Sequence, residues 1–137
     1  MIQKIDHIGI AVNSLEDALA MYKKLYGLEP IKTEILVDKK IKIAFIPLGE
    51  VLIELLEPIE SGKGRIGKYL KEKGEGLHHI ALRVEDIEGT VARLKQINVP
   101  LDKEPREGAD GSRVTFIDQR VTGVLTELVE RKHEVIR

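Results

Sequence analysis

A chain of 137 residues falls in the range of a single domain, and 42% hydrophobic against 33% charged residues supply a core without the signature of disorder. With 22 basic and 23 acidic residues the net charge is −1, which excludes the broad basic footprint of a nucleic-acid binder and predicts no nucleic-acid partner. No apolar run reaches the roughly 20 residues of a membrane helix, and the lack of cysteine removes disulfides, zinc thiolates, iron–sulfur clusters and cysteine nucleophiles together. A soluble cytoplasmic protein without a membrane partner is expected, in which any metal must sit on His, Glu, Asp or Gln.

The apolar, β-branched run Lys4 to Val12 predicts a buried strand. Ser14, with Asp17 three residues later, approximates a capping box at the start of a helix predicted over about Leu15 to Tyr26. Leu15, Ala18, Leu19, Tyr22 and Leu25 recur on one face of that helix, and Gly27 supplies its left-handed stop. Strand-like runs follow near Ile31 to Val37, Ile41 to Pro47 and Val51 to Leu56, separated by Asp38-Lys39-Lys40 and Leu48-Gly49-Glu50. From Ile59 to Gly76 the chain is a glycine-rich connector with a short helical run around Ile66, Tyr69 and Leu70 that Gly74 ends. Within it, Gly62 to Lys68 fits G-x-x-x-x-G-K, but Tyr69 stands where a phosphate loop needs Ser or Thr to hold magnesium, so the stretch is read as connector. A strand from His78 to Val84 comes next, then a helix from Ile87 to about Ile97 with Asp86 as N-cap and Ile87, Val91 and Leu94 as its apolar positions. Lys103 to Ser112 is an irregular loop with at most a short strand at its start, and strands near Arg113 to Ile117 and Val124 to Val129 close the chain.

The order β-α-β-β-β occurs twice, and the copies align residue on residue. Asp6 to Glu16 matches His78 to Glu88 at an offset of 72, and Val51 to Glu57 matches Val124 to Glu130 at an offset of 73. Module one covers about residues 4–58, the connector 59–76 and module two 77–131, within a single domain spanning 1–137. The overlay places His7 on His79 and Glu54 on Glu127, at separations of 47 and 48 residues within each copy. Either residue alone is ordinary on a solvated strand face. A carboxylate in the middle of Leu52-Ile53-Glu54-Leu55-Leu56 costs several kcal/mol to bury unpaired, however, and needs a cation, a proton or a cavity. The same exception made twice, each time with a histidine, points to a divalent ion. Two imidazoles and two carboxylates suit Mn, Co, Ni, Zn or Fe(II) and leave coordination positions for water or substrate oxygens. His78 neighbours His79 on a strand, so it points to the other face and is assigned to packing or surface. His133 lies in a charged tail that reads as a solvated terminus.

Asp6-His7-Ile8-Gly9-Ile10-Ala11-Val12, Leu77-His78-His79-Ile80-Ala81-Leu82 and Val124-Leu125-Thr126-Glu127-Leu128, set in paired βαβββ modules, resemble the vicinal oxygen chelate (glyoxalase-like) superfamily. Within it, Glu54-Leu55-Leu56-Glu57-Pro58, Gly74-Glu75-Gly76-Leu77-His78-His79 and Gly123-Val124-Leu125 are most similar to the methylmalonyl-CoA epimerase family. The resemblance implies an α+β fold whose two modules form a cupped mixed sheet around a metal site. His7, Glu54, His79 and Glu127 would be the ligands of a divalent ion (Co, Mn, Ni, Zn or Mg). The implied partners are an acyl-CoA substrate and a second copy of the chain in a homodimer. It also implies epimerisation through loss of the α hydrogen between thioester and carboxylate, with Glu127 first and Glu54 second as acid/base groups. Several members carry Gln at the position of Glu54, and the acid here is shared with glyoxalase I, the second reading. Some members place a glutamate in the strand matching Ile41 to Phe45, where this chain has Ile43 beside Lys42. Lys42, Lys63, Arg65 and Arg113 are the cations available for the CoA pyrophosphate. Antibiotic-binding proteins of the superfamily lack a full metal set, and extradiol dioxygenases use two His and one Glu, so four ligand-type residues set this chain apart from both.

Overall fold

The computed structural model describes residues 2–135. They form an α+β fold whose eight strands and four helices fall into two compact units. One holds His7 and the residues before it together with His79–Val135, and the other holds Ile8–His78. The division passes through β1 (Ile2–Ala11) and β5 (Gly76–Val84), so each of these strands contributes to both units. Among the described residues no helix is long and apolar enough to cross a membrane.

In the Ile8–His78 unit the strand order is β2-β3-β4-β1, with β2 Lys32–Leu36, β3 Ile41–Leu48 and β4 Val51–Pro58. Helix α1 spans Leu15–Tyr26, as its periodicity predicts. Its start is fixed by Ser14, whose hydroxyl accepts from the Asp17 amide at 3.1 Å, and its end by Gly27 at φ 67°. Partly buried Leu15, Ala18, Leu19 and Tyr22 pack on Val12, Ala44, Ile46 and Leu55. Leu25, assigned to the same face, is instead 59% exposed, because the sheet contacts of the helix end with Tyr22 one turn earlier. The connector helix α2 is Gly64–Lys73. A Cβ on Gly67 would lie 2.8 Å from the carbonyl carbon of Gly62, so the spacing of those two glycines serves a close backbone approach and not a phosphate cradle.

The other unit orders its strands β1-β5-β8-β7-β6, with β6 Arg106–Glu107, β7 Arg113–Ile117 and β8 Thr126–Glu130. β5 and β8 pair in parallel, while β7 pairs antiparallel with both β6 and β8. Helix α3, Ile87–Gln96, starts at Asp86, whose carboxylate accepts from the Gly89 amide at 3.2 Å. Its Ile87, Val91 and Leu94 pack with Val84 and Leu128. Two short elements escaped the periodicity reading: a 3-10 turn at Ala109–Gly111 and helix α4 at Gln119–Thr122. The latter is one turn long, too short for any apolar repeat, yet it has an N-cap in Asp118 and a left-handed C-cap in Gly123 at φ 88°.

The duplication extends to tertiary contacts. Glu57 on β4 accepts a hydrogen bond from the Leu15 amide at the start of α1 (2.5 Å), and Glu130 on β8 accepts one from the Ile87 amide at the start of α3 (2.9 Å). A carboxylate from the last strand of each copy thus satisfies an orphan donor at the N-terminus of that copy's helix, where the helix dipole also favours negative charge.

Candidate metal centre

Strand alternation decides which way the candidate ligands point. In β8, Leu128 faces α3, so Glu127 projects from the opposite face of the sheet. Residues paired across strands share a face, and Glu127 pairs with Ala81 on β5 and Phe116 on β7. His79, two residues before Ala81, projects from that face as well. β4 repeats the pattern in its own unit: Leu55 packs under α1, and Glu54 points away from the helix on the face it shares with its pairing partner Phe45. Each module therefore sets one acid beside one phenylalanine on the face its helix does not cover.

Within the unit that holds both histidines, His7, His79 and Glu127 converge. His7 Nε2 lies 3.1 Å from His79 Nε2 and 2.8 Å from Glu127 Oε1, and His79 Nε2 lies 3.6 Å from the same oxygen. Their relative exposures are 3%, 5% and 8%. The three ligand atoms fall within 4.8 Å of one another, the geometry of a group able to hold a metal ion. The two imidazoles stand edge to face at 5.2 Å between centroids, and His79 is edge-on to Phe116 at 5.6 Å. Glu54 is buried at 4% exposure in the Ile8–His78 unit.

Behind His7 lies Asp6, which sequence reasoning did not single out. Its carboxylate accepts from His7 Nδ1 at 2.7 Å, from Arg83 Nε at 2.9 Å, and from Arg131 Nε and a terminal nitrogen at 2.9 and 2.8 Å. Arg83 continues to Glu134 through two bonds of 2.5 and 2.9 Å. Burial alone would raise the Asp6 carboxyl, but hydrogen bonds and positive charge from His7 and Arg131 outweigh it and hold the group well below the usual carboxylate range. Burial likewise pushes Glu127 up, while the charges of protonated His7 and His79 and a hydrogen bond from His7 pull it below its ordinary value. The rule that picked out Glu54, a charge inside an apolar strand, applies equally to Asp6 and to Arg83 within Ile80 to Val84.

The remaining histidines behave as expected. His78 is buried edge-on against Tyr69 at 5.0 Å, in the Ile8–His78 unit, and the His133 side chain is 58% exposed. Ile43 is 2% exposed in β3 and offers no acid/base group. Of the cations assigned to a pyrophosphate, Lys42 pairs with Glu57 at 3.3 Å and Arg113 pairs with Glu88. Both pairs are partly exposed and so worth little. Lys63 is the N-cap of α2, and Arg65 is exposed in its first turn.

The donor set fits a divalent ion. Asp6 is an acceptor, so the nitrogen facing it is His7 Nδ1–H. In the neutral ring Nε2 then carries a lone pair, and that lone pair meets a second imidazole nitrogen and an ionised carboxylate. Two imidazole nitrogens and a carboxylate oxygen gathered in a buried place form a donor set that suits a divalent cation.

Residues 6–116 match the model of the Glyoxalase/Bleomycin resistance protein/Dioxygenase superfamily. The chain is 40% identical to protein YqjC of Bacillus subtilis over 131 residues, 94% of this chain and 93% of that one. It is 36% identical to the ethylmalonyl-CoA/methylmalonyl-CoA epimerase of Cereibacter sphaeroides, covering 93% of this chain and 98% of the relative. Among solved structures, a variant of the Streptomyces coelicolor methylmalonyl-CoA epimerase in complex with 2-nitronate-propionyl-CoA superposes with a TM-score of 0.92 at 34% identity, over the whole of both chains.

Proposed function

The chain belongs to the Glyoxalase/Bleomycin resistance protein/Dioxygenase superfamily, and from that premise we propose that it is a metal-dependent epimerase of methylmalonyl-CoA or a close 2-substituted malonyl-CoA. The observation that carries this reading is the buried convergence of His7, His79 and Glu127, in a chain that matches CoA-thioester epimerases over nearly its full length. We assign Glu54 as the fourth ligand, with both repeats acting as one domain. A bound divalent ion supplies positive charge beside the thioester and carboxylate oxygens, which acidifies the hydrogen between them.

The chain's own residues do the rest. His7 and His79 would contribute neutral nitrogen donors, which leaves the charge of a divalent ion to be balanced by the two carboxylates. Glu127, the carboxylate that converges with both histidines, is the group assigned to accept the α proton, and Glu54 is assigned as the second acid/base group, which returns a proton only after taking one up. Phe116 and Phe45, paired with the two acids across their strands, place apolar surface beside each carboxylate and so limit water near it. Lys42, Lys63, Arg65 and Arg113 are the cations assigned to the CoA phosphates. A homodimer in solution belongs to the same reading, and sedimentation at micromolar concentration should give twice the mass of one chain; a monomer mass would remove that part alone.

The deciding experiment incubates the cobalt-loaded enzyme with methylmalonyl-CoA in deuterium oxide. Deuterium should enter the α-carbon, and the hemithioacetal of glutathione and methylglyoxal should be turned over little. Rapid formation of lactoylglutathione without exchange into methylmalonyl-CoA would reverse the assignment to a glyoxalase I activity.

A further inference from the structure

The two histidines of the centre come from equivalent positions of the repeat, yet their preceding residues differ: Asp6 before His7, and His78 before His79. Asp6 is fully buried at its side chain and accepts from three residues at once. Its Oδ1 takes Arg83 Nε and Arg131 Nε, and its Oδ2 takes His7 Nδ1 and the Arg131 terminal nitrogen. Arg131 alone grips both oxygens, and two guanidinium forks on one carboxylate fix its plane as well as its charge. Arg131 follows Glu127 by four residues, one residue past the end of β8, and Arg83 follows His79 on β5 by the same interval. The strand that delivers His79 and the residue just past the strand that delivers Glu127 thus supply the clamps on Asp6.

We propose that Asp6 is a positioning residue of the metal centre: clamped by Arg83 and Arg131, its carboxylate holds His7 by Nδ1–H and leaves Nε2 as the nitrogen directed at the ion. A carboxylate behind a metal-binding imidazole selects which ring nitrogen faces the metal and makes it a better donor, and loss of such a partner typically costs about 10–100-fold in metal affinity. The clamps make the arrangement rigid. A free carboxylate would rotate and let the ring turn with it, whereas one gripped on both oxygens restricts the imidazole to a single plane. This inference rests on the metal reading above but concerns one side chain of it.

The test uses zinc as the probe, with affinity read by competition against a chelator and the His7 ring nitrogens assigned by 15N NMR of the zinc-loaded protein. The wild type should bind zinc through His7 Nε2, with Nδ1 protonated and its proton slow to exchange. Asp6→Asn keeps an acceptor oxygen without the charge and should bind zinc with intermediate affinity through the same nitrogen. Asp6→Ala should bind about 10–100-fold more weakly than wild type, with fast exchange of the Nδ1 proton. Leu128→Ala, which destabilises the core without touching the centre, should leave zinc affinity unchanged and separates positioning from loss of stability. Should Asp6→Ala fail to fold, the Asn variant and the wild-type spectrum decide. Coordination of zinc through His7 Nδ1, or wild-type affinity in the folded Asp6 variants, overturns the role of Asp6 alone. Failure of the wild type to bind zinc or cobalt overturns the metal reading and this inference together.

Discussion

At the residue scale, each side chain of the centre carries a separate expectation. His79 Nε2 lies within 3.6 Å of both other ligand atoms, so His79→Ala should lower metal content and epimerase activity in parallel, as read by metal analysis and deuterium exchange. Glu127→Gln keeps an oxygen ligand but removes the base. Exchange should therefore fall by at least about 100-fold while metal content falls far less, and equal losses would leave Glu127 a ligand only. Asp6 gives a pH signature. Its folded value is depressed below the roughly 3.9 of an unfolded aspartate, so its stabilisation is complete above that range and is lost as pH falls below it. Asp6→Asn, which removes the carboxylate charge that faces the buried Arg131, should cost about 3 kcal/mol at pH 7. In urea unfolding the gap between wild type and variant should narrow steadily below about pH 4. The sequence showed the two candidate ligand histidines because duplication marks them twice, whereas Asp6 occurs in one copy only and its partners lie 77 and 125 residues away.

Among the elements, strands and helices agree with the sequence reading to within a residue or two, because each has a local determinant. Ser14 and Asp86 cap α1 and α3, Gly27 ends α1 and Gly74 ends α2, and the apolar spacing chooses the packed faces. What local pattern did not show is that the acids ending β4 and β8 reach back to the helix starts. Glu130→Ala would leave the Ile87 amide at the N-terminus of α3 without its acceptor. The expected cost is about 1 kcal/mol in urea unfolding, the range of a lost N-cap, and no measurable loss would assign that amide to solvent. α4 marks the lower limit of periodicity as evidence: one turn has no second apolar contact to repeat, and only its Asp118 and Gly123 caps announce it.

For the whole molecule, a bound ion couples the centre to global stability. A ligand that binds only the folded chain stabilises it by about 2.7 kcal/mol when present at 100 times its Kd. Cobalt or zinc should therefore raise the unfolding temperature, and chelation should reverse the gain; an unfolding temperature indifferent to both would argue against an ion in the fold. Sequence by itself determined the elements, the repeat and four ligand-type residues, because caps, apolar period and internal duplication are all written in near neighbours or in a fixed offset. It also marked Glu54 and Glu127 as exceptions in apolar strands. Only the tertiary structure decided that the facing atoms of His7, His79 and Glu127 lie within 3.6 Å of one another and that Asp6, Arg83, Arg131 and Glu134 form a chain of charge behind them. The reason is physical. Strand alternation says which face a residue takes, but which residues of distant strands lie side by side depends on pairing register, here Ala81 with Glu127 and Phe116 with Glu127, and register is a property of the folded sheet.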